Sequence, residues 1–161
     1  MIDKLKRKPQ VVLSLDPGGH TGICLAIKTA TDWTIEYTAA LARWDLYNYL
    51  AKFNAKWETD QQNGVQALVI YETYKLYASH AKAMIGNKFE TCEHIGVIKF
   101  LAHVHGIPVI EYPASNKTFW SDTRLKYLGL YPKTEHERDA IRHFLHWLYF
   151  VEKGASLDDL K

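Results

Sequence analysis

VVLSLDPGGHTGICLAIKT, residues 11–29, consists of two apolar runs joined by a proline and two glycines, with an aspartate closing the first run. Residues 11–16, VVLSLD, are β-branched and apolar enough for a buried strand, and TGICLAIKT after the glycines reads as its hairpin partner. WTIEYTAAL, from Trp33, alternates as a third strand. Three antiparallel strands therefore open the chain. The first hairpin poses a question: why should a strand deliver the Asp16 carboxylate to the point where the chain turns? Gly18 and Gly19 supply part of the answer, because they permit a tight turn and leave room beside Asp16 for a bulky substrate.

Outward from the hairpin, RWDLYNYLAKFNAKW (43–57) repeats Trp44, Tyr47, Leu50, Phe53 and Trp57 every three or four positions, which predicts an amphipathic helix buried on that face. After the turn signal QQNG, VQALVIYE (65–72) is another apolar strand that ends on a carboxylate, Glu72. CEHIGVIKFLAHVHG (92–106) predicts a second helix capped by Gly106. IPVIEY (107–112) is a short strand, followed by Pro113 and a helix expected around 116–128. Thr134 and Glu137 form a capping box at the head of the last helix, which RDAIRHFLHWLYFVE continues to residue 152. The order is three strands, helix, strand, helix, strand, helix, helix, which predicts an α/β fold with helices packed on a mixed sheet.

At 161 residues the chain is expected to form one domain, residues 1–161, with a basic N-terminal tail at 1–10. A hydrophobic share of 47% and a charged share of 24% exclude wholesale disorder. The net charge of +2 permits a nucleic-acid partner without demanding one. Cys24 and Cys92 are too few for a disulfide framework and make no Cys-x-x-Cys zinc motif. No stretch approaches the ~20 apolar residues of a membrane span, and the start lacks the apolar core of a signal peptide. A soluble, cytoplasmic protein with no membrane partner is expected.

The chemistry lies in the acids. Asp16 and Glu72 close apolar strands, and a mixed sheet brings the carboxyl ends of neighbouring strands to one edge. Asp139, in the first turn of the last helix, reaches the same edge if that helix crosses the sheet. Three clustered carboxylates repel one another and call for a cation. Oxygen ligands suit a hard ion, Mg2+ or Mn2+, better than zinc. Two such ions ~3.5–4 Å apart activate a water and stabilise the leaving oxygen in an in-line attack on a phosphodiester, which is nuclease chemistry. The segment 73–89 interleaves Tyr74, Lys75, Tyr77, His80, Lys82 and Lys88 as a DNA-contacting loop does, with rings for bases and lysines for phosphates. Taken singly, the acids have ordinary readings: a turn former at Asp16, a solvated strand end at Glu72, a macrodipole partner at Asp139. Their combination points to a metal site.

DPGGHTG after the first strand, VIYE ending the fourth, GIPVIEYPASNK at the fifth and HERDAIRH opening the last helix resemble, in order, the RuvC-like Holliday junction resolvases of the RNase H-like superfamily, particularly their phage-type branch. The resemblance covers nearly the whole chain. It implies an RNase H-like mixed five-stranded sheet with helices packed on both faces. By position it implies that Asp16, Glu72 and Asp139 are the metal-binding acids, with two Mg2+ or Mn2+ ions at each site. His136 matches a position where the family shows aspartate or histidine, and so joins the metal and catalytic set. Lys117 matches the basic residues that contact backbone phosphates, which implies a part in catalysis and DNA binding. Tyr74 and Tyr77 are candidates for the aromatic residue that enters the junction centre, beside Lys75 and Lys82. The implied activity is structure-selective cleavage of Holliday junctions and other branched DNA by a twofold homodimer, for which the apolar helix 92–105 offers a surface. Residues 136, 139 and 143 share one helical face, so His143 is placed to line the site, although a packed or solvated helix position is its ordinary reading. Two other readings stand beside this one: a related nuclease acting on RNA, and a non-catalytic protein that binds branched DNA. An ATP-binding domain of the actin and hexokinase type also places Asp-x-Gly after a first strand, but needs two such domains around the nucleotide.

Overall fold

A computed structural model of the chain describes residues 8–74 and 89–155, the side chain of Asn116 excepted. Lys75, Tyr77, His80, Lys82 and Lys88 of the expected DNA-contacting loop lie outside the described residues. Strands β1 (Val11–Asp16), β2 (His20–Lys28) and β3 (Trp33–Ala42) form the expected antiparallel meander. Strand β4 (Ala67–Glu72) pairs parallel with β1, and β5 (Val109–Tyr112) pairs parallel with β4. The result is one mixed five-stranded sheet in the order β3-β2-β1-β4-β5. Helices α1 (Arg43–Gln62), α2 (Glu90–Val104), α3 (Asp122–Tyr127) and α4 (Glu135–Trp147) pack on it.

Strand periodicity assigns the faces. Leu13, Leu15, Ile23, Val69 and Tyr71 point to one side, where they pack with Leu46, Leu50 and Trp57 of α1 and Ile98 and Ala102 of α2. Val12, Cys24, Ala26, Leu68 and Ile70 point to the other, against Ala140, Ile141, Phe144, Leu145 and Trp147 of α4. Each fully buried Leu, Ile or Phe contributes about 1.5–3 kcal/mol to this arrangement. Asp16 and Glu72 share the parity of the second set, so both side chains emerge on the α4 face. The parallel register, Leu15 beside Tyr71, carried one residue further sets Asp16 beside Glu72.

Helix α4 can lie close to that edge because β2 offers it small residues. Gly22 pairs with Asp16 across the β1–β2 ladder, and a Cβ on Gly22 would overlap the backbone carbonyl of His136. The missing side chain therefore lets the first turn of α4 rest directly on the sheet. The same turn is held from two other directions. Thr134 and Glu137 make the capping box, with Thr134 Oγ1 accepting from Glu137 N at 3.3 Å and Thr134 N donating to Glu137 Oε2 at 3.2 Å. Thr38 Oγ1 of β3 donates to Glu137 Oε1 at 3.1 Å.

Three local expectations need correction. The buried stripe of α1 is Leu46, Leu50, Asn54 and Trp57, and Trp44 is 72% exposed, its ring set edge-on against Tyr47. The inward face is turned toward Leu46, Leu50 and Trp57, while Tyr47 and Phe53 pack along its margin. The helix expected around 116–128 is two elements: a 3-10 turn at Ala114–Thr118, then α3, whose N-cap Ser121 accepts from Arg124 N at 3.4 Å. The last helix ends at Trp147 in a wider π-type turn over Leu148–Glu152. Gly106 performs as expected: its φ of +65° turns the chain after α2, and Ile107 N closes the turn on Ala102 O at 2.8 Å. Among the described residues no helix is long and apolar enough to cross a membrane.

Two glycines of opposite character test this packing. Gly22→Ala is expected to lower the melting temperature by about 6–12 °C, the shift produced by an overpacking cost of ~3 kcal/mol. Gly96→Ala, on the open face of α2 where a Cβ meets nothing within 4 Å, is expected to stabilise the protein by about 0.5–1 kcal/mol. Thermal melts followed by circular dichroism check both.

Candidate metal centre

Each expected acid arrives by its own element. Asp16 and Glu72 are the last residues of β1 and β4, and Asp139 lies one turn into α4. Lys117 comes from the 3-10 turn after β5, which Pro113 starts in an extended conformation and Trp120 N closes on Lys117 O at 3.1 Å. The structure brings all four together. Lys117 Nζ lies 3.1 Å from Asp16 Oδ1, 2.5 Å from Glu72 Oε2 and 2.6 Å from Asp139 Oδ2. The expectation placed Lys117 toward a phosphate; in the structure its ammonium is the hub of the carboxylates.

The two histidines occupy different depths. His136 stands at the rim with its side chain 43% exposed, and its Nδ1 is 2.8 Å from Asp16 Oδ2. His143 is fully buried, with Nε2 3.0 Å from Glu72 Oε2 and its ring stacked against Tyr112. Its Nδ1 has no hydrogen-bond partner among the described residues. Spacing alone put His143 on the same helical face as residues 136 and 139, but its full burial against Glu72 was not legible. Arg142 was missed altogether. Its Nη1 donates to Asp139 Oδ1, and the only sequence signal was an arginine three residues after an acid on the same helix.

Burial and charge oppose each other here. Two like charges ~5 Å apart cost about 3 kcal/mol at an effective dielectric of ~20, so three carboxylates do not share this edge without compensation. Burial raises the Asp16 carboxyl, with Glu72 and Asp139 adding to the rise, against the lowering pull of Lys117 and His136. Burial also works to raise Glu72, but the hydrogen bond with His143 and the Lys117 ammonium outweigh it and hold this carboxyl down to about 2. Lys117 is pushed above its ordinary value: burial acts against its charge, and Asp16, Asp139 and Glu72 overcome it.

The donor set fits a hard divalent ion. One oxygen each from Asp16 and Glu72 and one nitrogen of His143 all lie within 4.8 Å of one another. The expected set was Asp16, Glu72, Asp139 and His136. In the structure Asp139 Oδ2 faces the same Lys117 ammonium as Asp16 and Glu72 do, while its Oδ1 accepts from Arg142; His136 reaches the cluster through Asp16. The centre already accommodates a positive charge, the Lys117 ammonium, among three carboxylates. Those carboxylate oxygens are what Mg2+ or Mn2+ takes as ligands.

No protein-family model matches the chain, and no curated protein matches it. Solved structures do. The chain superposes on Thermus thermophilus RuvC in complex with a Holliday junction substrate with a TM-score of 0.60 and 18% identity, covering 90% of this chain and 96% of that one. A second T. thermophilus RuvC structure superposes with a TM-score of 0.57 and 18% identity, covering 90% and 97%. The architecture is thus that of the RNase H-like class, an α/β mixed sheet with helices on both faces. Within that class the chain has the RuvC-like fold.

Removing the ammonium tests the electrostatics. Glu72, depressed below its ordinary 4.5, contributes stability that is present above that value and lost as pH falls toward 2. Lys117, raised above 10.5, contributes stability that is present below that value and lost only as pH rises beyond it. Both contributions are therefore complete between about pH 5 and pH 10. In that window Lys117→Met is expected to destabilise the metal-free protein by about 2 kcal/mol, less than a fully buried pair because the site is partly solvated. Divalent ion should restore most of the loss. Melting curves at pH 7 with and without Mg2+ check this.

Proposed function

We propose that the protein is a divalent-metal-dependent endonuclease that cuts Holliday junctions and other branched DNA as a twofold homodimer, with Mg2+ or Mn2+, two per site, as cofactor. The observation that carries this reading is the convergence of three carboxylates from β1, β4 and α4 on one cation at the edge of a RuvC-like sheet. The T. thermophilus RuvC it superposes on was solved with a Holliday junction substrate, which supports branched DNA as the substrate class.

Mg2+ or Mn2+, when bound, would supply Lewis acidity at the scissile phosphate and help activate the attacking water. The chain's own residues do the rest. Asp16, Glu72 and Asp139 would hold the ion, with His143 Nε2 beside Glu72. With an ion held there, Lys117 would be free of the carboxylates, and its flexible stem would let the ammonium meet the scissile phosphate. His136, at the rim and 2.8 Å from Asp16 Oδ2, would move a proton to or from the attacking water or the leaving oxygen. Tyr74, 36% exposed where the chain leaves β4, begins the segment whose Lys75, Tyr77 and Lys82 are assigned to DNA bases and phosphates. Cutting two symmetric strands of a four-way junction calls for two sites related by a twofold axis. Helix α2, with Phe100 65% and Val104 57% exposed, is the surface assigned to that pairing.

Labelled four-way junction, fork and linear duplex, incubated with Mg2+, Mn2+ or chelator, test the reading. Paired nicks on the junction are expected with metal and none with chelator. Asp16→Asn should bind the junction normally and cut it roughly a hundredfold or more slowly. A variant that cuts at the wild-type rate would overturn the assignment. Tyr74→Ala should weaken binding to branched DNA more than to duplex, measured by gel shift; equal losses would remove its assigned role.

A further inference from the structure

We propose that Arg142 is a positioning residue for Asp139 and sets the preference of the centre for Mg2+ over Ca2+, an inference that rests on the metal-dependent reading above. The guanidinium is 11% exposed and its three nitrogens meet three different acceptors. Nη1 donates to Asp139 Oδ1, Nη2 to Asp122 Oδ1, and Nε to the Trp120 carbonyl at 2.7 Å. Asp122 is itself held, its Oδ2 accepting from Tyr131 Oη at 2.8 Å. Arg142 is thus clamped by the start of α3 and cannot turn away from Asp139 without breaking contacts on both sides. Lysine carries the same charge but no planar fork, so it cannot span these acceptors.

The consequence falls on Asp139. With Oδ1 engaged by Arg142, only Oδ2 is left to face the cation position, where it lies 2.6 Å from Lys117 Nζ. A carboxylate fixed in this way offers one oxygen in one direction. Mg2+ demands near-ideal octahedral geometry and takes such a ligand well, whereas Ca2+ tolerates flexible, bidentate carboxylates and higher coordination. Freed from Arg142, Asp139 can rotate and offer both oxygens, which favours Ca2+. Loss of the guanidinium charge strengthens the attraction for both divalent ions alike, because they carry the same charge. The ratio of their affinities therefore isolates geometry from electrostatics.

The test uses Mn2+ as a paramagnetic probe of the full chain without DNA, with Mg2+ and Ca2+ as competitors. Arg142→Met is expected to shift the affinity ratio toward Ca2+ by about tenfold, and Asp122→Asn, which weakens the outer clamp by removing its charge, by about threefold. Arg142→Lys should behave as Arg142→Met does, since it retains charge without the fork. A residue that merely staples α3 to α4 lowers the melting temperature and leaves the ratio unchanged, and that outcome overturns the proposal. Should Arg142→Met not fold, Asp122→Asn, altered on the exposed side, decides the question alone. Asp16→Asn separates the two readings: wild-type protein that binds no Mn2+, or binds it equally in Asp16→Asn, sinks the metal centre itself. Asp16-dependent binding with an unchanged ratio sinks only the role of Arg142.

Discussion

Three carboxylates cannot share one sheet edge without a positive charge among them, and much of this molecule is organised around that constraint. The Lys117 ammonium meets all three, at 2.5–3.1 Å, and Arg142 takes the remaining oxygen of Asp139. The rest of the architecture serves to hold those groups in reach. Parallel pairing of β1 with β4 aligns two strand ends. A 3-10 turn after β5 sends Lys117 back over the sheet, and a helix crossing on small residues brings the third acid.

The positions of Asp16 and Glu72 were legible because strand parity is rigid. A residue at the end of an apolar run inherits the face of every second residue before it, so the two acids had to emerge beside α4 once the parallel register was right. The capping box at Thr134 likewise fixed where α4 begins, and with it the phase of residues 136, 139 and 143. The acids thus followed from local rules combined with one topological inference, and the rim histidine from the family resemblance.

What was not legible depended on contacts between segments far apart in the chain. Gly18 and Gly19 drew attention through the Pro-Gly-Gly turn, yet Gly22 is the glycine on which the docking of α4 rests. Its neighbour in space, His136, lies 114 positions further along the sequence, so no local pattern marks it. Arg142 escaped, and with it the burial of His143 against Glu72, for a related reason: adjacent in sequence, the two turn to different acids, one to Asp139 and one to Glu72. The stripe on α1 misled differently. Leu50 and Trp57 of the expected face are buried, but Leu46 takes the inward place given to Trp44, which stands in solvent.

The order in which these groups occur along the chain has a consequence for biosynthesis. β1 and β4 leave the ribosome carrying both strand acids well before Lys117, Asp139 and Arg142 have been made. Until then the two carboxylates lack the Lys117 ammonium, and the surface on which α4 is to dock, including Gly22, is uncovered. The acidic centre is completed by the last long helix of the fold. A nascent chain therefore carries half of a charged centre and none of its final geometry, and assembly of the site reports that the domain around it has closed.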